Sequence, residues 1–258
     1  MRFAVARGAT RLIDLHQAAP MRVLFPDPEP GEPPLAALVN TAGGLAGGDS
    51  VTLDVALDTG AHAVVSTPAA EKIYRSLGPE TCIATRLDIA AGATLEWLPQ
   101  ETILFDGARL ARRLDVDVAP DATLLLAEML VFGRHARGEI LREGSLADIW
   151  RISRGGSLLW ADGLALGQGM RARLDDRFGF AGAQACATLL VVSGAPLAEA
   201  RDAAREAGAA ATLPRPGVLL LRWLGGAGVV RDGVADGIRL LRARVLGAAP
   251  VLPRLWTC

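Results

Sequence analysis

The feature that most constrains the fold is a strand-like unit that occurs three times. Leu53-Asp54-Val55, Leu87-Asp88-Ile89 and Leu114-Asp115-Val116 each end a run in which apolar and polar residues alternate. A small-residue turn follows each one, at Gly60-Ala61, Gly92-Ala93 and Asp121-Ala122, and a second apolar run then begins. Alternation with period two marks a half-buried strand. A strand, a tight turn and a return strand cannot cover their own apolar face, so such units are stable when each stacks on the next. Counted between the leucines, the repeat spacings are 34 (87 − 53) and 27 (114 − 87) residues, so the period is irregular. The expected fold is mainly β, with a stacked-strand, β-helix-like or layered β-sheet body.

Val51–Leu57, Cys82–Ile89, Thr94–Leu98, Arg109–Val118 and Leu146–Ser153 carry the strand pattern. Ala122–Leu126 is continuously apolar, as a strand buried on both faces would be. Five prolines between Pro26 and Pro34 (Pro26, Pro28, Pro30, Pro33, Pro34) lack an N–H and fix φ, which predicts an exposed loop. Helical periodicity comes late. Pro196 can open a helix through LAEARDAAREAG that stops at Gly208. A second helix begins near Val234, with Val234, Ile238, Leu241 and Val245 at helical spacing and Gly247 at its end. The organisation expected is a single domain over 1–258, with a β-rich body over about 1–193 and a helix-containing C-terminal part over about 194–258.

The net charge of −1 gives no electrostatic footprint for nucleic acid. Cys82, Cys186 and Cys258 lie too far apart in sequence for a CxxC pair, so neither a zinc knuckle nor a disulfide framework is indicated. The N-terminal segment is interrupted by Arg2, Arg7, Arg11 and Asp14, unlike a signal peptide, and no apolar run approaches the roughly 20 residues of a membrane helix. A cytoplasmic chain without a membrane partner is expected.

Four segments could carry chemistry. Asn40–Ser50 (NTAGGLAGGDS) holds Gly43, Gly44, Gly47 and Gly48, which let a backbone approach a ligand or another chain closely. No Gly-Lys-Ser/Thr follows and the next element is a strand, so it is either a tight turn or a functional loop lined by Asn40, Thr41 and Asp49. Ser66–Ser76 gathers Glu71, Lys72, Tyr74 and Arg75, including the only lysine and the only tyrosine. On a helical turn Glu71 and Arg75 would pair; the segment is a solvated turn or a polar patch facing a partner. Trp97–Gly107 offers Glu101 and Asp106, which could ligate a metal, act as acid and base, or bond turn amides. Phe132–Glu139 sets His135 between Arg134 and Arg137, with Glu139 beyond. A lone imidazole can bind nickel but more often packs or faces solvent, and no HxH or HExxH pattern supports a closed metal cage.

NTAGGLAGGD, AAEKIYRS, WLPQETILFDGARL, GRHARGE and the closing PRLW, in this order, resemble the urease accessory protein UreD family, called UreH in some organisms. The likeness runs from about Asn40 to the C-terminus; the first 25 residues match loosely and the Pro26–Pro34 loop departs from the pattern. The resemblance implies a protein without catalytic activity. Such a protein binds apo-urease and, through UreF, recruits the GTPase UreG. Nickel then passes toward the urease active site along an internal tunnel. It also implies a body of stacked strands with two helices, and no permanently bound cofactor, only transient Ni2+. An ion in transit needs weak oxygen ligands. Asp49, Glu71, Glu101, Asp106 and Glu139 are candidates because they lie inside the matching motifs. Asn40, the four glycines, Lys72, Tyr74, Arg75, Arg134 and His135 are candidate partner or structural positions. Two other readings stand beside this one: a β-rich metal-dependent hydrolase or isomerase using Glu101 and Asp106, and an adaptor that never touches nickel.

Overall fold

A computed structural model describes residues 1–257. The chain opens with a hairpin, β1 (Arg2–Ala6) and β2 (Ala9–Asp14), followed by β3 (Met21–Leu24) and β4 (Leu35–Asn40), with the proline-rich loop between the last two. Three coils follow. The first is β5 (Ser50–Leu57), β6 (His62–Ser66) and β7 (Glu71–Ile73); the second is β8 (Thr81–Ile89), β9 (Thr94–Leu98) and β10 (Thr102–Leu104). The third is β11 (Arg109–Val118) and β12 (Thr123–Phe132), and β13 (Ser145–Arg154) and β14 (Ser157–Leu166) close it as a hairpin. Then come α1 (Met170–Asp175), β15 (Ala185–Val192), α2 (Ala198–Glu206), β16 (Ala210–Arg215), β17 (Val218–Gly225) and α3 (Ala227–Leu241). One sheet runs β14-β13-β11-β8-β5-β1-β2 and the other β16-β17-β15-β12-β9-β6-β4-β3. Each coil crosses from the first sheet to the second at its small-residue turn, and equivalent strands of successive coils pair in parallel.

The pairing corrects the register of the repeat. Leu87 faces Val55 on one side and Val116 on the other, so the second unit lies two residues away from the Leu-Asp-Val alignment seen in the sequence. A shift of two leaves every side chain on the same face of the strand, which is why alternation alone does not detect it. The aspartate of the unit also finds a role. Asp54, Arg86, Asp115 and Arg151 form a row of alternating charge across the outer face of the first sheet. Opposite charges directly across strands favour that register.

Pro68 and Pro99 account for a third, shorter face. Proline cannot donate to a ladder, so each coil breaks after its strand in the second sheet and resumes as β7 or β10. β12 has no proline and runs straight through, pairing first with β9 and then with β10. Its inward side chains (Leu124, Leu126, Leu130, Phe132) are buried between the sheets, while Leu125, Ala127, Met129 and Val131 are buried on the other side. The expectation of a strand covered on both faces therefore holds.

That second cover comes from the helices. Val230, Val234, Ile238 and Leu241 of α3 and Ala200 and Ala204 of α2 pack on the outer face of the second sheet. Fully burying one such aliphatic side chain contributes about 1.5–3 kcal/mol. α3 starts earlier than the periodicity suggests, because Gly228 and Gly233 dilute its first turns. It continues as a π-helical turn, Arg242–Leu246, to the expected stop at Gly247. α1, β16 and β17 add to the two helices expected in the C-terminal half.

The π-helical turn is anchored by a buried ion cluster. Arg242 has no solvent exposure and pairs with Glu96, also unexposed, at 2.9 Å; it also pairs with Glu32 of the proline-rich loop. Removing one member of a buried pair strands the other charge, so Arg242→Ala is expected to cost about 3–5 kcal/mol in chemical denaturation. Arg242→Met combined with Glu96→Gln should recover a large part of that loss, because no fully buried charge is then left alone.

Candidate functional site

The space between the two sheets is not uniformly apolar. Leu110, Leu130 and Leu146 belong to one buried cluster, and Leu114, Leu126 and Trp150 to another. Arg112, Glu128 and Asp148 stand between them, at positions where the alternation of β11, β12 and β13 turns the side chain inward. Arg112 donates through Nε to Asp148 Oδ1 at 3.0 Å, through Nη2 to Asp148 Oδ2 at 2.8 Å and through Nη1 to Thr102 Oγ1 at 3.2 Å. It also forms an ion pair with Glu128. The three side chains are only 11%, 13% and 8% exposed, so each charge depends on its partners rather than on water.

Cavities lie on either side of this layer. The larger, of about 450 Å³, is lined by Glu128, Asp148, Asp162, Cys186, Thr188 and Arg222, with Trp150, Phe180 and Trp223 among its apolar walls. The smaller, of about 100 Å³, is lined by Glu71, Gln100, Thr102, Arg112 and Glu128. Glu128 belongs to both. At the far side of the larger cavity Asp162 and Arg222 form an ion pair that ties β14 to β17. Burial pushes the Cys186 thiol up to about 12, so it remains a protonated thiol at neutral pH. Polar groups thus run across the interior from Glu71 to Asp162.

The four segments singled out in the sequence meet at one end of the coils. Gly44 lies against the Tyr74 ring and Gly47 against Ser76, where a Cβ would fall 2.6 Å and 2.1 Å from the neighbouring side chain. Gly43 and Gly48 turn the loop with positive φ. The Tyr74 hydroxyl donates to the Gly43 carbonyl at 3.0 Å, and Lys72 Nζ reaches the same oxygen at 3.4 Å. Tyr74 packs edge-on against Phe105 with centroids 5.0 Å apart, and the Arg134 guanidinium lies 4.3 Å above Phe105. Arg134 in turn grips Glu139 with two hydrogen bonds and holds its carboxyl below the usual range. Arg75 packs against Gly107 and pairs with Ala108 in an isolated bridge. His135 opens a 3-10 turn, with its Nε2 buried and without a hydrogen-bond partner.

The expected carboxylates have definite partners. Asp49 accepts from the Ala46 amide at 2.7 Å, and Asp106 Oδ1 accepts from the amides of Arg142 and Glu143 at 2.7 and 3.1 Å. Glu101 is paired with Arg231 of α3. Glu71 and Arg75 do not form a helical pair: Glu71 begins β7 and accepts from Asn40 Nδ2 at 3.1 and 3.2 Å. Of the five carboxylates, Glu71 alone appears in the lining of the two interior cavities. Glu101 and Asp106, the pair an enzyme would need, serve separate partners. No group of three or more His, Cys, Asp or Glu among the described residues is arranged to hold a metal ion. Arg112, Glu128, Asp148 and Asp162 were not anticipated. The signal that marks the first three is a charged residue at the apolar phase of an alternating or continuously apolar strand.

Together these features define a β-solenoid scaffold with a polar, hollow layer in its interior. The family model described as UreD urease accessory protein matches residues 1–257. The chain belongs to that family. It is 48% identical to the urease accessory protein UreD of Granulibacter bethesdensis, over 91% of this chain and 99% of the relative. It is 46% identical to the protein of that name from Azorhizobium caulinodans (96% and 91% covered) and 41% identical to that from Magnetococcus marinus (98% and 91%). No helix among the described residues is long and apolar enough to cross a membrane.

Burial pushes the Glu71 carboxyl above its ordinary range, against the smaller opposing effects of Asn40 and the Lys72 amide. The folded state therefore holds the proton more tightly than the unfolded chain. That contribution to stability is complete below the unfolded pKa of about 4.3 and is lost as pH rises through the folded value. Relative to Glu71→Gln, the wild-type denaturation midpoint should fall as pH is raised above about 4 and level off once the folded carboxyl has ionised. A flat difference would mean that Glu71 is no more desolvated than in the unfolded chain.

Proposed function

We propose that this chain is a non-catalytic cytoplasmic scaffold of urease maturation, which binds apo-urease and, through UreF, the GTPase UreG, and through which nickel reaches the urease active site. Family membership supports the role in maturation. The observation that carries the nickel step is the polar layer inside the solenoid, with cavities of about 450 Å³ and 100 Å³ that share Glu128.

The chemistry of this layer suits passage rather than storage. Its oxygen donors are carboxylates and hydroxyls, which bind a divalent ion more weakly than a thiolate or imidazole cage. Burial holds Cys186, the sulfur in the larger cavity, as a protonated thiol, which disfavours thiolate ligation by the resting site. Glu71 is the one expected carboxylate that joins this route. Asp49, Asp106 and Glu139 shape the end of the coils around Tyr74, Phe105 and Arg134, and Glu101 fastens α3. That end presents Arg134, Arg137 and the glycine-rich loop, with Lys72 and His135 partly buried behind them, and it is the surface proposed for partner contact.

In cells carrying the urease operon, deleting this gene is expected to leave abundant urease that is inactive and poor in nickel. Urease fully loaded without the gene would overturn the reading. Within the chain, Thr188→Trp places a bulky ring in the larger cavity. It should lower urease nickel content severalfold while co-purification with urease and UreF is retained. Overpacking itself costs about 1–3 kcal/mol, so the folded fraction is checked alongside.

A further inference from the structure

Arg112 stands where the two interior cavities meet. Glu128 and Asp148 line the larger cavity, while Arg112, Glu128 and Thr102 line the smaller. The guanidinium offers only donors; it hydrogen-bonds Asp148 and Thr102 and forms an ion pair with Glu128. It therefore occupies the space between two carboxylates that a cation crossing from one cavity to the other would have to use. The two carboxylates carry two negative charges and the arginine returns one positive charge, so the junction keeps a net attraction for cations. Both Asp148 oxygens are engaged by the guanidinium's hydrogen bonds, while Glu128 Oε1 is buried against it in an ion pair and has no hydrogen bond of its own.

We infer that Arg112 is the gate of this crossing. It is a tethered cation that keeps the junction closed and keeps a divalent ion from lodging there. It yields toward the smaller cavity, whose wall it forms, when an incoming ion takes over Glu128 and Asp148. As the ion leaves, the arginine returns to the carboxylates and displaces it forward. The inference rests on the proposed nickel-delivery role. It adds the residue that sets the rate and the reversibility of passage.

The test uses the full chain in complex with its partners, with nickel chloride as the probe in equilibrium dialysis. Arg112→Gln should retain nickel about tenfold or more tightly than wild type, because a buried carboxylate pair is freed for the ion. Arg112→Gln with Asp148→Asn should lose that gain. In cells, Arg112→Gln should slow urease nickel loading about tenfold, since the ion now stays at the junction. Arg112→Lys keeps the charge balance and is the variant to use if the glutamine fails to fold. It lacks the two-pronged grip on Asp148 and should show an intermediate gain in retention. A folded variant that retains no more nickel than wild type overturns the gate. So does a variant that retains the ion yet loads urease at the wild-type rate, since the crossing would then lie off the route. Failure of the delivery role reads differently: urease would be fully loaded with the gene deleted, whatever the Arg112 variants do.

Discussion

Two carboxylates and a guanidinium buried between sheets place a condition on everything around them. Taking Arg112, Glu128 and Asp148 out of water is costly, and their mutual attraction repays the cost only if the geometry is right. β11 and β13 must therefore stay in the register that sets Arg112 beside Asp148, and β12 must bring Glu128 across the gap from the opposite sheet. A slip of one residue in any of the three would turn a charge outward and strand its partners. The same condition divides the interior, with Leu110, Leu130 and Leu146 on one side of the layer and Leu114, Leu126 and Trp150 on the other. Replacing a buried ion cluster by apolar residues of the same volume is often neutral or stabilising. The arrangement is thus poorly accounted for by stability, which directs attention to what a polar interior permits.

The coils explain how that layer comes to lie beside the motif-bearing end of the molecule. Pro68 and Pro99 end two ladders early and send the chain through a corner, so β7 and β10 form a narrow face of their own. Glu71 sits at the start of that face and looks into the smaller cavity. Tyr74 and Phe105 follow the two short strands, and their contact, capped by Arg134, closes the end. A local backbone effect, the missing N–H of proline, thereby joins two sites that are far apart in sequence.

Much of the scaffold was legible from residue patterns because it is local. Alternation located β5, β8, β9, β11 and β13 to within a residue at each end, and the glycine at position 247 marked the end of the last helix. The second repeat unit was placed two residues off because pairing between strands some 30 residues apart is a tertiary property, and either alignment leaves the same side chains facing in. The spacing of Glu71 and Arg75 permits a helical pair but does not require one; the neighbouring coil decides the matter by offering a ladder to β7. The interior charges were hidden for a different reason. Arg112 and Arg113 are adjacent, and only the phase set by Leu110 and Leu114 tells which of them points inward. Glu128 interrupts an otherwise apolar strand, which is the stronger clue, but composition makes a lone glutamate look like an edge rather than a centre.

On the proposed reading, the choice of an arginine at the junction has a physical logic that a lysine or an apolar residue would lack. A bare pair of buried carboxylates would hold the first divalent ion that arrived, and a neutral layer would offer an ion no compensation for its lost hydration shell. A guanidinium anchored by two parallel hydrogen bonds to Asp148 stands between these extremes. It keeps the carboxylates oriented, so that ligands are in place when an ion comes. It also competes for the same oxygens from a tethered position, where its effective concentration is high and does not depend on how much metal is present. Weak binding at such a junction follows from competition built into the chain rather than from poor ligands, and a carrier of a tightly binding ion can in that way let it go.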